Sequence, residues 1–249
     1  MHFTKMEGLG NDFVVVTDEV EVTPTVVRLL CDRHFGIGAD GVLRVGLANG
    51  SVVMDYWNAD GGEAEMCGNG LRCVARFAYE REMVPTRSFK VITAVGERRV
   101  EALAEPRVEL GPVAVGESFV WEGATFYAAT VGNPHAVTIV DDPEKVDVAR
   151  IGHALEAATP GGVNVEFVAI EPASIRLRVW ERGVGETLAC GSGMVAASAV
   201  THHLGLVADR VSVEVPGGRA TVEIEPDTSW LSGPARTVFA GEIELPKEL

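Results

Sequence analysis

Laid over itself at an offset of 123 residues, the separation of Cys67 and Cys190, the chain repeats. In "YWNADGGEAEMCGNGLRCVARFA" (56–78) and "VWERGVGETLACGSGMVAASAVT" (179–201), Trp57 falls on Trp180 and Glu63 on Glu186. Gly68 and Gly70 fall on Gly191 and Gly193 in the same alignment. Further out the offset slips to 122, where "GNDFVVV" (10–16) meets "GNPHAVT" (132–138) and Gly96 meets Gly218. Two copies of one unit restrict the fold to a pair of similar domains, related by a pseudo-two-fold axis. The boundary is expected near "LGPVAVGE" (110–117), giving domains at 1–113 and 114–237.

Each copy carries short β-rich runs around two helical segments, which predicts an α+β class. The runs are "DFVVVTD" and "SVVMDYW" in the first copy, and "RLRVW" and "RVSVEV" in the second. Thr23 as N-cap, Pro24 at the first helical position and apolar Val26, Val27, Leu30 and Cys31 mark the first helix, with Gly36 as its stop. The second helix of each copy begins at a cysteine, in "CGNGLRCVARFAYER" and "CGSGMVAASAVTHHLG". Apolar residues on most sides predict that it is buried within its own sheet.

Composition narrows the function. A net charge of −15 without any Lys/Arg-rich run excludes a phosphate-tracking surface, so no nucleic-acid partner is expected. No stretch approaches eighteen uninterrupted apolar residues and the start is not patterned as a leader, which predicts a soluble cytoplasmic protein without membrane partners. Four cysteines in 249 residues are too few for a disulfide framework and are expected as thiols. Cys31 and Cys73 read as core residues.

Cys67 and Cys190 ask for a different account. At a helix N-terminus a thiol meets unpaired backbone N–H groups and the positive end of the macrodipole, which favour its thiolate. The following glycines allow a carboxylate to approach those same N–H groups. Two such helices aimed at one site would place a base on either face of a carbon, and two opposed bases can invert it. One thiolate removes the proton, the other thiol returns one, and no metal or cofactor is required. "GIGADG" (36–41) fits a dinucleotide fingerprint but follows a helix and lacks a βαβ setting, so nucleotide binding is not expected.

These residues closely resemble the diaminopimelate epimerase family. The resemblance rests on "GLGNDFVV" (8–15), "FGIGADG" (35–41), "NADGGEAEMCGNG" (58–70), "VGNPHAV" (131–137), "VNVEF" (163–167) and "ERGVGETLACGSG" (181–193). It implies that LL- and meso-2,6-diaminopimelate are interconverted without a cofactor, with Cys67 and Cys190 as the catalytic pair. It also implies that His135 and Glu181 tune that pair. Asn11, Asn58, Asn133, Asn164, Glu181 and Arg182 match the substrate-binding positions, and Gly68, Asn69, Gly191 and Ser192 those that hold the reacting carboxylate. A planar guanidinium at Arg182 suits the distal carboxylate of a molecule with an amino-acid group at each end. The family further implies two pseudo-symmetric domains, each a mainly antiparallel sheet wrapped around a central helix, with the active site in the cleft between them. A C-terminal strand at about 238–249 is expected to return to the first domain, and the assembly to be a homodimer. Many members carry glutamine where this chain has Gly41, so that position is left out of the site.

Two other readings stay open on the sequence. Proline or hydroxyproline racemases share the two-thiol chemistry, but usually carry histidine where this chain has Asn69 and have little use for Arg182. A non-catalytic amino-acid binder, or a redox sensor joining Cys67 to Cys190, would use the same residues in another class of function.

Overall fold

The computed structural model describes residues 1–17, 19–64 and 66–245. The chain divides into two compact units, Met1–Val108 with the segment from Gly233 onward, and Glu109–Ser232. The first unit runs β1 (His2–Gly8), β2 (Asn11–Thr17), α1 (Pro24–Cys31), β3 (Gly41–Ala48), β4 (Ser51–Asn58), α2 (Gly68–Glu80), β5 (Ser88–Thr93) and β6 (Gly96–Glu101), and β7 (Arg107–Gly111) crosses the division. The second runs β8 (Ala114–Trp121), β9 (Ala124–Thr130), β10 (Pro134–Ile139), α3 (Val148–Ala158), β11 (Asn164–Ile170), β12 (Ser174–Glu181), β13 (Gly185–Thr187), α4 (Gly191–His203), β14 (Arg210–Val215), β15 (Gly218–Ile224) and β16 (Ser229–Ser232). The last strand, β17 (Arg236–Glu242), belongs to the first unit and pairs antiparallel with β1, His2 opposite Glu242. The expected strand positions 246–249 lie outside the described residues.

The duplication is written in the strand pairing. In the first unit β2 runs parallel to β3, β3 antiparallel to β4, and β4 parallel to β5. In the second unit β10 runs parallel to β11, β11 antiparallel to β12, and β12 parallel to β14. The β1–β2, β5–β6, β8–β9 and β14–β15 ladders are antiparallel, so each unit is an α+β body with a mixed, mainly antiparallel sheet. Helix α2 packs on β1, β3, β4 and β6, and α4 on β8 to β12 and β14 to β16. Ten residues of α2, from Gly68 to Ala78, are buried, and ten of α4. A helix without a wet face has to satisfy its polar side chains internally. In α4, Ser198 and Thr201 do so by donating to Met194 O and Ala197 O, both at 2.8 Å.

Helix α1 starts as the sequence predicts, with Thr23 Oγ1 accepting from Val26 N and Val26, Val27, Leu30 and Cys31 buried. It ends at Cys31 and does not run on to Gly36. The reason is Asp32, whose Oδ1 accepts from His34 N and Phe35 N and draws the chain into a turn. That turn is held by charge. Asp12 lies against Lys5 at 2.6 Å and Arg33 at 2.8 Å, and Arg33 also reaches Asp40 at 2.8 Å.

Burial pushes the Asp12 carboxyl up, but the Arg33 and Lys5 hydrogen bonds outweigh it and hold it at about 2, below 3.8. A depressed carboxyl stabilises the fold above its unfolded pKa and loses that contribution as pH falls through its folded one. Asp12→Asn should therefore cost roughly 1–2 kcal/mol at pH 7, allowing for screening at exposed Arg33. Urea unfolding of both proteins across the acid range checks this: the difference should shrink between pH 4 and pH 2, and a constant difference would contradict it.

Candidate active site

Both long helices are capped by a thiol. Cys67 is the N-cap of α2, with extended backbone (φ −136°, ψ 118°), and its Sγ accepts from Gly70 N at 3.4 Å. Cys190 is the N-cap of α4 (φ −112°, ψ 118°), and its Sγ accepts from Gly193 N at 3.3 Å. Each sulfur thus takes the place of a serine or aspartate cap oxygen on an otherwise orphaned N–H. The glycine at the third helical position leaves the space for this. A Cβ on Gly193 would lie 2.9 Å from Glu166 Oε1 and 3.3 Å from Cys190 Sγ.

The surroundings of the first thiol are amide and cation. The two-residue turn Leu9–Gly10, with φ of 58° and 81°, delivers Asn11 to the first position of β2. Leu9 tolerates the left-handed conformation because its side chain is 2% exposed and anchored in the core. Asn11 Nδ2 is committed to Asp40 at 2.9 Å, so its Oδ1 faces the Cys67 thiol at 3.5 Å and Asn69 Nδ2 at 3.3 Å. Asn69 Oδ1 in turn accepts from Arg72 at 3.0 Å. Arg72 is wholly buried and also donates to Gly68 O and Pro234 O, both at 3.5 Å. Burial lowers its pKa, yet a guanidinium starts so basic that it remains a cation on the second turn of α2.

Carboxylates surround the second thiol. Glu181, at the end of β12, hydrogen-bonds Cys190 and accepts from the Thr187 hydroxyl. Glu166, in β11, places Oε1 2.7 Å from His135 Nδ1, and both side chains are fully buried. His135 Nε2 lies 3.0 Å from Asn133 Oδ1, Asn133 Nδ2 donates to Ser192 Oγ at 3.4 Å, and Ser192 Oγ lies 3.5 Å from Cys190 Sγ. Burial raises the pKa of Glu166 and of Glu181. Burial first, then the Glu181 and Glu166 charges, push Cys190 well above an ordinary thiol value. Cys190 is therefore held as the protonated thiol.

The other sequence-predicted positions divide between the units. Gly68 and Gly191 are the buried first residues of the two helices, and Ser192 is half-buried. Asn58 is exposed at the end of β4, where its Oδ1 accepts from the Tyr56 hydroxyl at 2.8 Å. Asn164, 4% exposed, spends both ends of its amide on main chain, accepting from Arg182 N at 3.0 Å and donating to Pro134 O at 2.8 Å. The Arg182 guanidinium donates to Gly161 O at 3.3 Å. It stands beside a cavity of about 570 Å³ lined by His153, Glu156, Trp180 and Gly162. Neither cysteine lines that cavity.

Gly41 has a structural cause. A Cβ there would meet Trp57 O at 2.5 Å and the Tyr56 ring at 2.6 Å. That ring, stacked edge-on against Phe13 with centroids 6.0 Å apart, fills the space a side chain at 41 would need. The hydroxyl it brings ends on Asn58, so polar contact at this edge is supplied from β4.

Sequence reasoning did not single out Arg72, Glu166, Asp40 or Tyr56. A charge inside an apolar run, as in "GLRCVARF" and "VNVEFVAI", is the signal that could have found the first two. Burial pushes the Cys31 and Cys73 thiols up to about 12, which leaves them inert packing residues. Among the described residues no group of three or more His, Cys, Asp or Glu side chains is set to hold a metal ion. Nor is any helix among them long and apolar enough to cross a membrane.

Comparison with known proteins places this arrangement. The family described as diaminopimelate epimerase matches the chain twice, over residues 3–115 and 127–238. A curated diaminopimelate epimerase of Pelotomaculum thermopropionicum is 40% identical, across 97% of this chain and 98% of its own. Among solved structures, a phenazine biosynthesis protein of the PhzF family from Enterococcus faecalis shares the fold, with a TM-score of 0.78 at 16% identity, covering 98% of this chain and 99% of its own. A probable proline racemase from Agrobacterium radiobacter does so with a TM-score of 0.76 at 15% identity, covering 98% and 93%. Those two likenesses concern the fold alone. The duplicated match and the full-length relative show that the chain belongs to the diaminopimelate epimerase family.

Proposed function

We propose that this protein is a diaminopimelate epimerase that inverts one α-carbon of 2,6-diaminopimelate, LL to meso and back, by two-base proton transfer between Cys67 and Cys190. The observation that carries the reading is the recurrence of a thiol N-cap on both duplicated helices, each sulfur held by the N–H three residues on. The two thiols sit in opposite electrostatic settings. Cys190, held as a thiol by burial and by Glu181 and Glu166, is the proton donor of the free enzyme. Cys67, five residues ahead of the buried Arg72 cation with which it interacts electrostatically, is the base.

An α-proton beside a carboxylate is far less acidic than a thiol, so the carbanion has to be stabilised as it forms. The N–H groups at Gly68 and Asn69, and at Gly191 and Ser192, open the two helices and are the donors available to the reacting carboxylate as it gains enolate character. Thiolate at Cys67 accepts the α-proton, the Cys190 thiol delivers its proton to the opposite face, and the reverse reaction exchanges the roles. No oxidant, metal or cofactor enters this balance. Asn11, Asn58, Asn133, Asn164, Glu181 and Arg182 bind the distal amino-acid end, with Arg182 on its carboxylate. The same reading makes the protein a cytoplasmic homodimer, on the strength of the family resemblance.

Two outcomes follow. Cys67→Ala and Cys190→Ala should each lower epimerisation of LL-diaminopimelate by about a thousandfold or more in a protein that stays folded, with only the modest fall in melting temperature expected of a lost N-cap, and full activity in either would sink the two-thiol account. In the unliganded enzyme at neutral pH, iodoacetamide should modify Cys67 well before Cys190, as read by peptide mass spectrometry. Equal rates would contradict the assignment of base and acid.

A further inference from the structure

The two copies of the unit make each other's controls, because they solve the same packing problem with different residues. At the place of His135 in the first copy stands Phe13, and at the place of Glu166 stands Leu43, both fully buried. A Cβ added at Gly70 would meet Leu43 at 3.2 Å, as one added at Gly193 would meet Glu166 Oε1 at 2.9 Å, so the correspondence holds in three dimensions. An apolar pair therefore suffices to build this layer beneath a thiol-capped helix. The second copy instead buries an acid and an imidazole, and leaves Glu166 Oε2 without a hydrogen-bond partner among the described residues. A buried acid–base pair that well-packed apolar residues could replace is not retained for stability.

The pair faces one way. Glu166 Oε1 takes one side of the imidazole ring through Nδ1, and the other side, Nε2, meets a carbonyl-type oxygen, Asn133 Oδ1. Nε2 therefore carries a hydrogen whether the shared proton sits on Glu166 or on Nδ1. With Nε2–H donating to Asn133, the amide Nδ2 donates to Ser192 Oγ, and the serine hydroxyl is left to donate to Cys190 Sγ.

We propose that Glu166 is a positioning residue for the proton transfer at Cys190: it locks His135 as a donor and so polarises the string His135–Asn133–Ser192 toward the sulfur. The string offers Cys190 a second donor besides Gly193 N–H, which it needs when it has delivered its proton and stands as thiolate among the Glu166 and Glu181 carboxylates. Glu166 acts through His135 and does not touch substrate. The inference rests on the epimerase reading for its kinetic consequence, but its chemical consequence at Cys190 does not.

The test transplants the first copy's solution into the second. The double variant Glu166→Leu, His135→Phe should fold with an undiminished melting temperature and lower kcat for diaminopimelate by about tenfold or more, with KM changed less than about twofold. Glu166→Gln, whose amide can still donate to Nδ1, should keep kcat within about threefold of the parent. Alkylation of Cys190 by iodoacetamide at alkaline pH, followed by mass spectrometry, should be about fivefold or more slower in the double variant than in Glu166→Gln, which has lost the same carboxylate charge but keeps a donor to Nδ1. Unchanged kcat in the double variant, equal Cys190 alkylation in the two variants, or a loss of kcat and KM in step with a lowered melting temperature would overturn the proposal. Wild-type protein inert toward diaminopimelate would instead overturn the functional reading, and the alkylation comparison would still decide the role of Glu166.

Discussion

A sulfur atom bonded to the N–H three residues ahead of it, at the start of a buried helix, is the contact on which the rest of this structure depends. It asks for a glycine at the third helical position, because any Cβ there is driven into the strand behind, onto Leu43 in one unit and Glu166 in the other. It asks for a sheet that wraps the helix closely, because a thiol cap exposed to water would offer no control over its protonation. Both units meet those demands with the same order of parallel and antiparallel strands. The repeated Cys-Gly-x-Gly is the sequence image of that geometry.

On this common frame the two copies diverge in charge. Arg72, the buried cation of the first unit, stands where the second has Val195. Glu166 and His135 of the second stand where the first has Leu43 and Phe13, and Glu181 stands where the first has Asn58. Glu181 hydrogen-bonds Cys190, His135 reaches it through Asn133 and Ser192, and Arg72 donates to the carbonyl of Gly68 beside Cys67. Duplication alone would give two equivalent thiols, which cannot serve as acid and base at once. The divergence places them in different electrostatic surroundings, which a pair acting as acid and base requires.

What was legible in the sequence follows the physics of each feature. The repeat, the thiol caps and the start of α1 are local or periodic signals, and they survive folding because backbone hydrogen bonding enforces them. The end of α1 was misread, since Gly36 is the conventional stop but Asp32, four residues earlier, captures two main-chain N–H groups with its side chain. Glu166 and Arg72 were passed over, because an isolated charge in an apolar run is readable only once a partner on another element is known. Tyr56 belongs to the same class: its ring closes the space over Gly41 from the neighbouring strand, and no spacing within β3 announces that. Asn164 is expected as a binding residue from its motif, and its amide also shapes the backbone that carries Arg182, through Arg182 N and Pro134 O, which no motif announces.

The central claim is that two separate monoprotic thiols act on one carbon. Its most direct measurement is proton NMR and mass spectrometry of LL-diaminopimelate turned over in D₂O at early times. A thiolate that takes a proton and a distinct thiol, already exchanged with solvent, that returns a deuteron predict deuterium at the inverted α-carbon of the product and none in the remaining substrate. Deuterium appearing equally in substrate and product would mean that a single base serves both faces, and the assignment of Cys67 and Cys190 as base and acid would fall.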